Sequence, residues 1–231
     1  MNTNAMTSTQ FAALFDHSLL QPYNTLSDFS RHLEECAQYR FYSAAVNSCQ
    51  VPLYAEKLKG TGVLVGAAVS FPFGQASPRA KEAEARIALE EGAAEIDYVL
   101  NIGKLLDGDT AFIREEMRRL VDVCHSREAV CKVILETCYL TEPAKKLACE
   151  VALDTGIDYV KTSTGFGTAG ATAQDVRLFR SIVGGHVKIK AAGAMRTLDD
   201  VTAVLEAGAD RIGSAFSVSI LKEFQARHTG L

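Results

Sequence analysis

Eight times over, the chain alternates a short apolar run rich in β-branched residues with a longer stretch of helical spacing. The runs are ALFDH, AAVNS, VLVGAAVSF, EIDYVLN, AVCKVILET, IDYVKTS, VKIKAA and DRIGSAF. Between them lie amphipathic stretches such as SPRAKEAEARIALEEGA, DTAFIREEMRRLVDVCHS, TEPAKKLACEVALDTG and TLDDVTAVLEAG, with Ser, Asp or Thr placed as N-caps and Gly at the ends. Strict alternation of strand and helix requires a parallel sheet. Three segments echo one another: ALEEGAAEIDYV, ALDTGIDYV and VLEAGADRIG each run from a helix end through glycine into a strand, so one supersecondary unit is reused. Eight such units in 231 residues predict an α/β fold, a single-domain (βα)8 TIM barrel over residues 1–231, in preference to an open doubly wound sheet.

A closed barrel fixes direction. Alternate side chains of each strand point inward, and reactive groups gather at the carboxyl ends. In EIDYVLN, Ile96, Tyr98 and Leu100 are expected against the helices, with Asp97, Val99 and Asn101 inside. In VKIKAAG, Lys188 and Lys190 face in, and in DYVKTS Lys161 shares its face with Tyr159. Asp97, Lys161 and Lys190 therefore meet in one interior. Two lysines and a carboxylate in a confined space suit amine catalysis. Desolvation and a neighbouring ammonium both lower a lysine pKa, and the neutral amine attacks a carbonyl. The resulting imine draws electrons from the adjacent carbon–carbon bond while the carboxylate moves protons. The competing reading is a salt-bridge network that merely fills the barrel. Lys188, one inward step deeper than Lys190, is expected to serve as such a structural ion pair.

Composition narrows the partners. A net charge of −4 with no basic stripe argues against a nucleic-acid partner. The polar start MNTNAMTSTQ lacks the charged and apolar regions of a secretory signal, and residues 1–10 are expected to form a flexible tail. Residues 60 to 78 carry no charge, but glycines and prolines interrupt them, so no membrane partner is expected and the location is read as cytoplasmic. Six cysteines form no C-x-x-C pair, and five histidines show no ligand spacing; reduced core thiols and no metal site are the expectation. Gly165, Gly167 and Gly170 fit G-x-G-x-x-G, yet no acidic residue follows about 20 positions on, so the glycines are read as letting backbone N–H groups approach a phosphate or substrate oxygen.

The segments FDHSLL, VNSCQVPLYAEKLKGTGV, EIDYVLNIGKL, KVILET, YVKTSTGFG, GATAQDVRL, KAAGAMRT and EAGADRIG, in this order over nearly the whole chain, resemble the deoxyribose-phosphate aldolase family of class I aldolases. The resemblance implies a barrel needing no cofactor, a homodimer, and reversible cleavage of 2-deoxyribose 5-phosphate to glyceraldehyde 3-phosphate and acetaldehyde. It places Lys161 on the Schiff-base lysine, Lys190 on the second lysine that lowers its pKa, and Asp97 on the proton-shuttling aspartate. Asp16 and Thr164 fall on substrate-pocket positions, and Gly165 and Gly193 on positions whose backbone meets the phosphate; Gly213 and Ser214 are further candidates there. Departures cluster at the phosphate end. Ala194 replaces a loop glycine, Ala215 and Phe216 replace two serines, Ser70 stands for a glycine, and Lys188 lies where glycine is common. Two other readings stay open: an aldolase of the same mechanism with an altered or non-phosphorylated acceptor, and a non-catalytic sugar-phosphate-binding relative.

Overall fold

Each of the eight apolar runs overlaps one strand: the first strand extends two residues past ALFDH, the second starts one residue before AAVNS, and the other six lie within their runs. In this computed structural model, which describes residues 5–228, the strands are β1 (Phe15–Leu19), β2 (Ser43–Asn47), β3 (Leu64–Val69), β4 (Glu95–Val99), β5 (Val130–Ile134), β6 (Tyr159–Lys161), β7 (Lys188–Ala192) and β8 (Arg211–Ser214). Every strand pairs in parallel with its neighbours in sequence, and β8 closes on β1. A short helix, α1 (Ser8–Ala12), precedes the barrel. The outer ring comprises α2 (Leu26–Tyr39), α3 (Val51–Lys57), α4 (Pro78–Glu90), α5 (Ile102–Leu106), α6 (Thr110–His125), α7 (Glu142–Thr155), α8 (Ala173–Val183), α9 (Leu198–Glu206) and α10 (Ser217–His228).

The N-cap residues act as the sequence spacing requires. Ser77, Asp109, Thr141, Thr172 and Thr197 accept side-chain hydrogen bonds from the N–H groups of Ala80, Phe112, Ala144, Asp175 and Asp200. Each such cap contributes about 1 kcal/mol by satisfying a donor that the helix leaves open. Part of the expected tail is structured: Thr7 and Gln10 form a capping box that starts α1, and Phe11 stacks on Phe224 of α10 with ring centroids 4.1 Å apart. Residues 1–4 of that tail lie outside the described residues.

Two different interiors result. The outward-facing residues of the strands, such as Ile96, Tyr98, Val133, Val160 and Ile189, join the helices in one continuous apolar core. The barrel interior is polar on one side. Long side chains project from β4 to β8, while β2 and β3 face them with Ser43, Ala45, Gly66 and Ala68; a Cβ on Gly66 would lie 3.6 Å from Glu95 Oε2. Small residues on one wall leave the volume that the lysines and arginine of the other wall fill.

Two inward assignments change. Asn101 leaves the barrel, because its side chain caps α5 through the N–H of Lys104. Lys188 has the inward phase, but it is the first residue of β7 and is exposed, with Nζ 5.5 Å from the centroid of the Tyr159 ring in place of a buried ion pair. Asp97, Lys132, Tyr159 and Lys188 follow one another in strand register. The tilt of a barrel turns that register row into a descending spiral, which carries Lys188 to the amino-terminal rim.

Outside β1, a buried aromatic stack joins the barrel to α2. His17 and His32 lie face to face at 4.3 Å, His17 Nε2 is 3.1 Å from Glu35 Oε2, and His32 Nδ1 is 2.9 Å from the Tyr54 hydroxyl. Burial, and after it the neighbouring His17, hold the His32 pKa well below 6.5. An unfolded chain therefore takes up this proton before the folded one does, and the stability present above pH 6.5 is lost as pH falls toward the folded value. The expected outcome is that the fall in Tm between about pH 7.5 and about pH 5 is smaller in His32→Leu than in the unmodified protein, whatever the mutant's absolute stability. Parallel Tm–pH curves would refute this role.

Candidate active site

The centre of the site is one carboxylate held by three ammonium groups. Asp97, at the middle of β4, has Oδ2 2.7 Å from Lys161 Nζ and 2.7 Å from Lys190 Nζ, while Oδ1 lies 3.0 Å from Lys132 Nζ. The three lysines come from β6, β7 and β5, so four consecutive strands converge on a single group. Beneath it, Lys132 also reaches Glu95 at 2.9 Å, and Asp16 of β1 pairs with Lys190 at 2.5 Å and lies 3.5 Å from Arg211 of β8. Arg211 is held in turn by the Tyr42 ring, 3.2 Å from its Cζ, and by the Tyr159 hydroxyl, which accepts from Nη2 at 3.4 Å.

Four cations (Lys132, Lys161, Lys190, Arg211) thus face three carboxylates (Asp16, Glu95, Asp97), a surplus of one positive charge among buried side chains. Proton loss from one ammonium removes the surplus. Lys161 is that group: burial, opposed by Asp97 and assisted by Lys190 and Lys132, brings its pKa down to about 8. Lys132 goes the other way. Burial alone would lower its pKa, but Asp97, Glu95 and Asp16 together hold it well above the ordinary lysine value. Burial also opposes ionisation of Asp97, yet Lys132, Lys161 and Lys190 outweigh it and keep the carboxyl well below the usual range.

Above this cluster, at the carboxyl ends of the strands, lies a cavity of about 380 Å3 with Lys161 in its wall. Thr164, Gly165, Gly193, Gly213 and Ser214 line it as well. Asp16 does not; it is fully buried and is linked to Lys161, the cluster member in the cavity wall, through Lys190 and Asp97. Ser214 has no proton to offer, because its hydroxyl donates to the Met195 carbonyl at 2.6 Å and accepts from the Phe216 N–H. At Gly213 an added Cβ would come within 3.0 Å of Lys190 Cε, so this position provides clearance for the lysine. The glycine pattern has a packing cause too: an added Cβ at Gly170 would come within 2.3 Å of the Gly193 carbonyl, where the β6 and β7 loops cross. At the rim, Phe216 is half exposed and the Arg196 guanidinium lies over its ring, 5.7 Å from the centroid. Ala194 sits at φ 58°, a region that costs a residue bearing a Cβ roughly 1–2 kcal/mol.

Period-two reading brings Asp97, Lys161 and Lys190 together but misses Lys132, Glu95 and Arg211. The same signal was present for Lys132, which alternates with Cys131 and Val133 in β5 and faces inward with Ile134. Glu136 had none, because it lies beyond the strand at φ 55°.

Comparison with known proteins agrees with this architecture. Residues 11–225 match the family model described as DeoC/LacD family aldolase. The deoxyribose-phosphate aldolase of Thermococcus gammatolerans is 46% identical over 94% of this chain and 97% of its own length. That of Bacteroides thetaiotaomicron is 42% identical over 96% and 93%. The tetrameric deoxyribose phosphate aldolase of Aeropyrum pernix superposes with a TM-score of 0.89 at 30% identity, covering 96% of this chain and 93% of that one. With nearly its whole length matched by the family model and by relatives well above 30% identity, the chain belongs to the DeoC/LacD family of aldolases.

Proposed function

We infer that the protein is a deoxyribose-phosphate aldolase in which Lys161 forms the covalent intermediate. The observation that carries this reading is a cavity-facing lysine with its pKa drawn to about 8, hydrogen-bonded to a carboxylate that two further lysines keep ionised. Neutral Lys161 Nζ attacks the aldehyde carbon of the open-chain sugar phosphate, and uptake of one proton with loss of water leaves a protonated imine. That step restores the surplus positive charge. Removal of the proton from the C3 hydroxyl breaks the C2–C3 bond, and its electron pair flows to the imine nitrogen, giving a neutral enamine and releasing glyceraldehyde 3-phosphate. Protonation of the enamine carbon and addition of water then free acetaldehyde and Lys161. Asp97, in contact with both Lys161 and Lys190, is the group placed to take and return protons through these steps.

The phosphate end supports a second feature of this reading. Phe216 and Ala215 occupy serine positions, the Ser214 proton is committed to Met195, and the Phe216 N–H is committed to Ser214. The remaining lining includes Gly165, Gly193 and Ala194, the polar residues Ser18, Gln21 and Tyr23, and Arg196, whose guanidinium lies over the Phe216 ring. Preference for phosphorylated over free substrates is therefore weaker than a serine-bearing loop would give.

Four outcomes test the reading. Borohydride with acetaldehyde attaches a two-carbon adduct to Lys161 alone. The activity limb near pH 8 moves to higher pH in Lys190→Leu, because removing a cation favours protonated Lys161. An adduct on Lys190, or an unmoved limb with full activity, contradicts the assignment. Asp97→Asn lowers kcat by roughly 10²–10⁴-fold, the range of a positioned acid–base group; near-normal turnover in a folded mutant would dismiss that role, so Tm is measured alongside. The double change Ala215→Ser with Phe216→Ser raises the ratio of kcat/KM for deoxyribose 5-phosphate over deoxyribose by about ten- to a hundredfold, the worth of one hydrogen bond to a charged group. An unchanged ratio shows the loop to be neutral toward phosphate.

A further inference from the structure

Glu136 is a buried carboxylate, 2% exposed, held at φ 55° just beyond β5. Non-glycine residues in that backbone region are uncommon and cluster at functional sites. All its described partners are donors from its own loop and the β6 loop. The Thr164 N–H lies 3.3 Å from Oε1, the Thr164 hydroxyl donates to Oε2 in a short contact, and the Cys138 thiol is 3.9 Å from Oε1. Gly167 brings the β6 loop over this carboxylate, since an added Cβ there would meet Cys138 Sγ at 2.6 Å and Glu136 Cδ at 3.2 Å.

The consequence is at Thr164, which lines the cavity three residues after Lys161. A hydroxyl has one proton and two lone pairs. The proton goes to Glu136, and one lone pair accepts from the Phe166 N–H at 3.0 Å. One lone pair is left. We propose that Glu136 is a positioning residue that takes the only proton of Thr164 and so fixes Thr164 as an acceptor toward the substrate. The substrate group facing Thr164 is then a hydroxyl that donates; a phosphate or carbonyl oxygen finds no proton there. This rests on the aldolase reading and adds to it the polarity of one contact.

The test follows acetaldehyde addition to two three-carbon aldehydes, glyceraldehyde and propanal, of which only the first carries hydroxyls. In Glu136→Gln, which can point an amide donor at Thr164 and release its proton, kcat/KM falls about tenfold with glyceraldehyde, mostly through KM, and by less than about threefold with propanal. Borohydride trapping of acetaldehyde on Lys161 persists, and Glu136→Gln combined with Thr164→Val is no worse than Thr164→Val alone. Equal losses on both aldehydes, no loss on either, or additive losses in the combined mutant overturn the proposal. Should Glu136→Gln not fold, the unmodified protein decides. It favours 2-hydroxypropanal over 2-methoxypropanal, whose ether oxygen cannot donate, by about tenfold, and parity overturns the proposal. An unmodified protein that traps no acetaldehyde overturns the aldolase reading itself, and this inference with it.

Discussion

The interior of this barrel depends on the ionisation of Asp97. A lone carboxylate so deeply buried would stay protonated, and the three lysines around it would repel one another. With Asp97 charged, each lysine gains a partner within 3.0 Å, and four strands are tied to one point on the barrel axis. The surrounding sequence accommodates this arrangement. Small residues on β2 and β3 leave space for the long side chains, and Tyr159 and Tyr42 hold Arg211 where it complements Asp16. Removing Asp97 leaves three buried ammonium groups without their shared partner, a loss on the order of 3–5 kcal/mol in comparable buried pairs.

Specificity is arranged on different elements from the ion cluster. The cluster sits on strands, whose registers fix it, whereas the outer part of the cavity wall is loop: the β6 loop crosses the β7 loop at Gly170 and Gly193, and the β8 loop brings Phe216 against Arg196. Loop exchanges at 194, 215 and 216 therefore leave the contacts of Asp97 untouched. A barrel enzyme can change what it binds at the strand carboxyl ends without disturbing what the strands hold together.

Much of this was legible because the strands alternate strictly. Period two assigns Asp97, Lys161 and Lys190 to one interior, and the cap residues mark where helices begin. Three features escaped for identifiable reasons. Lys132 sits in a run that reads as apolar, AVCKVILET, so its inward phase drew no notice although it carries the same signal as Lys190. Lys188 has the right phase at the wrong depth, since depth is set by strand tilt, a property of the closed barrel that no single strand displays. Glu136 obeys no period, because a backbone in the left-handed region turns its side chain away from the strand's alternation, and its partner Thr164 lies 28 residues along the chain.

Lys132 and Lys161 show why residue type and burial alone do not set the charge of an interior lysine. Both are buried in the same interior, and burial lowers the pKa of each. Their fates separate on carboxylate count. Lys132 has three carboxylates within 3.8 Å, enough to overcome desolvation and fix the ammonium as a permanent charge. Lys161 has one, and it shares that one with Lys190 and Lys132, whose charges act against its own. Position on the strand accompanies this difference: Lys161 is the last residue of β6 and lines the cavity, whereas Lys132 is in the middle of β5 and does not.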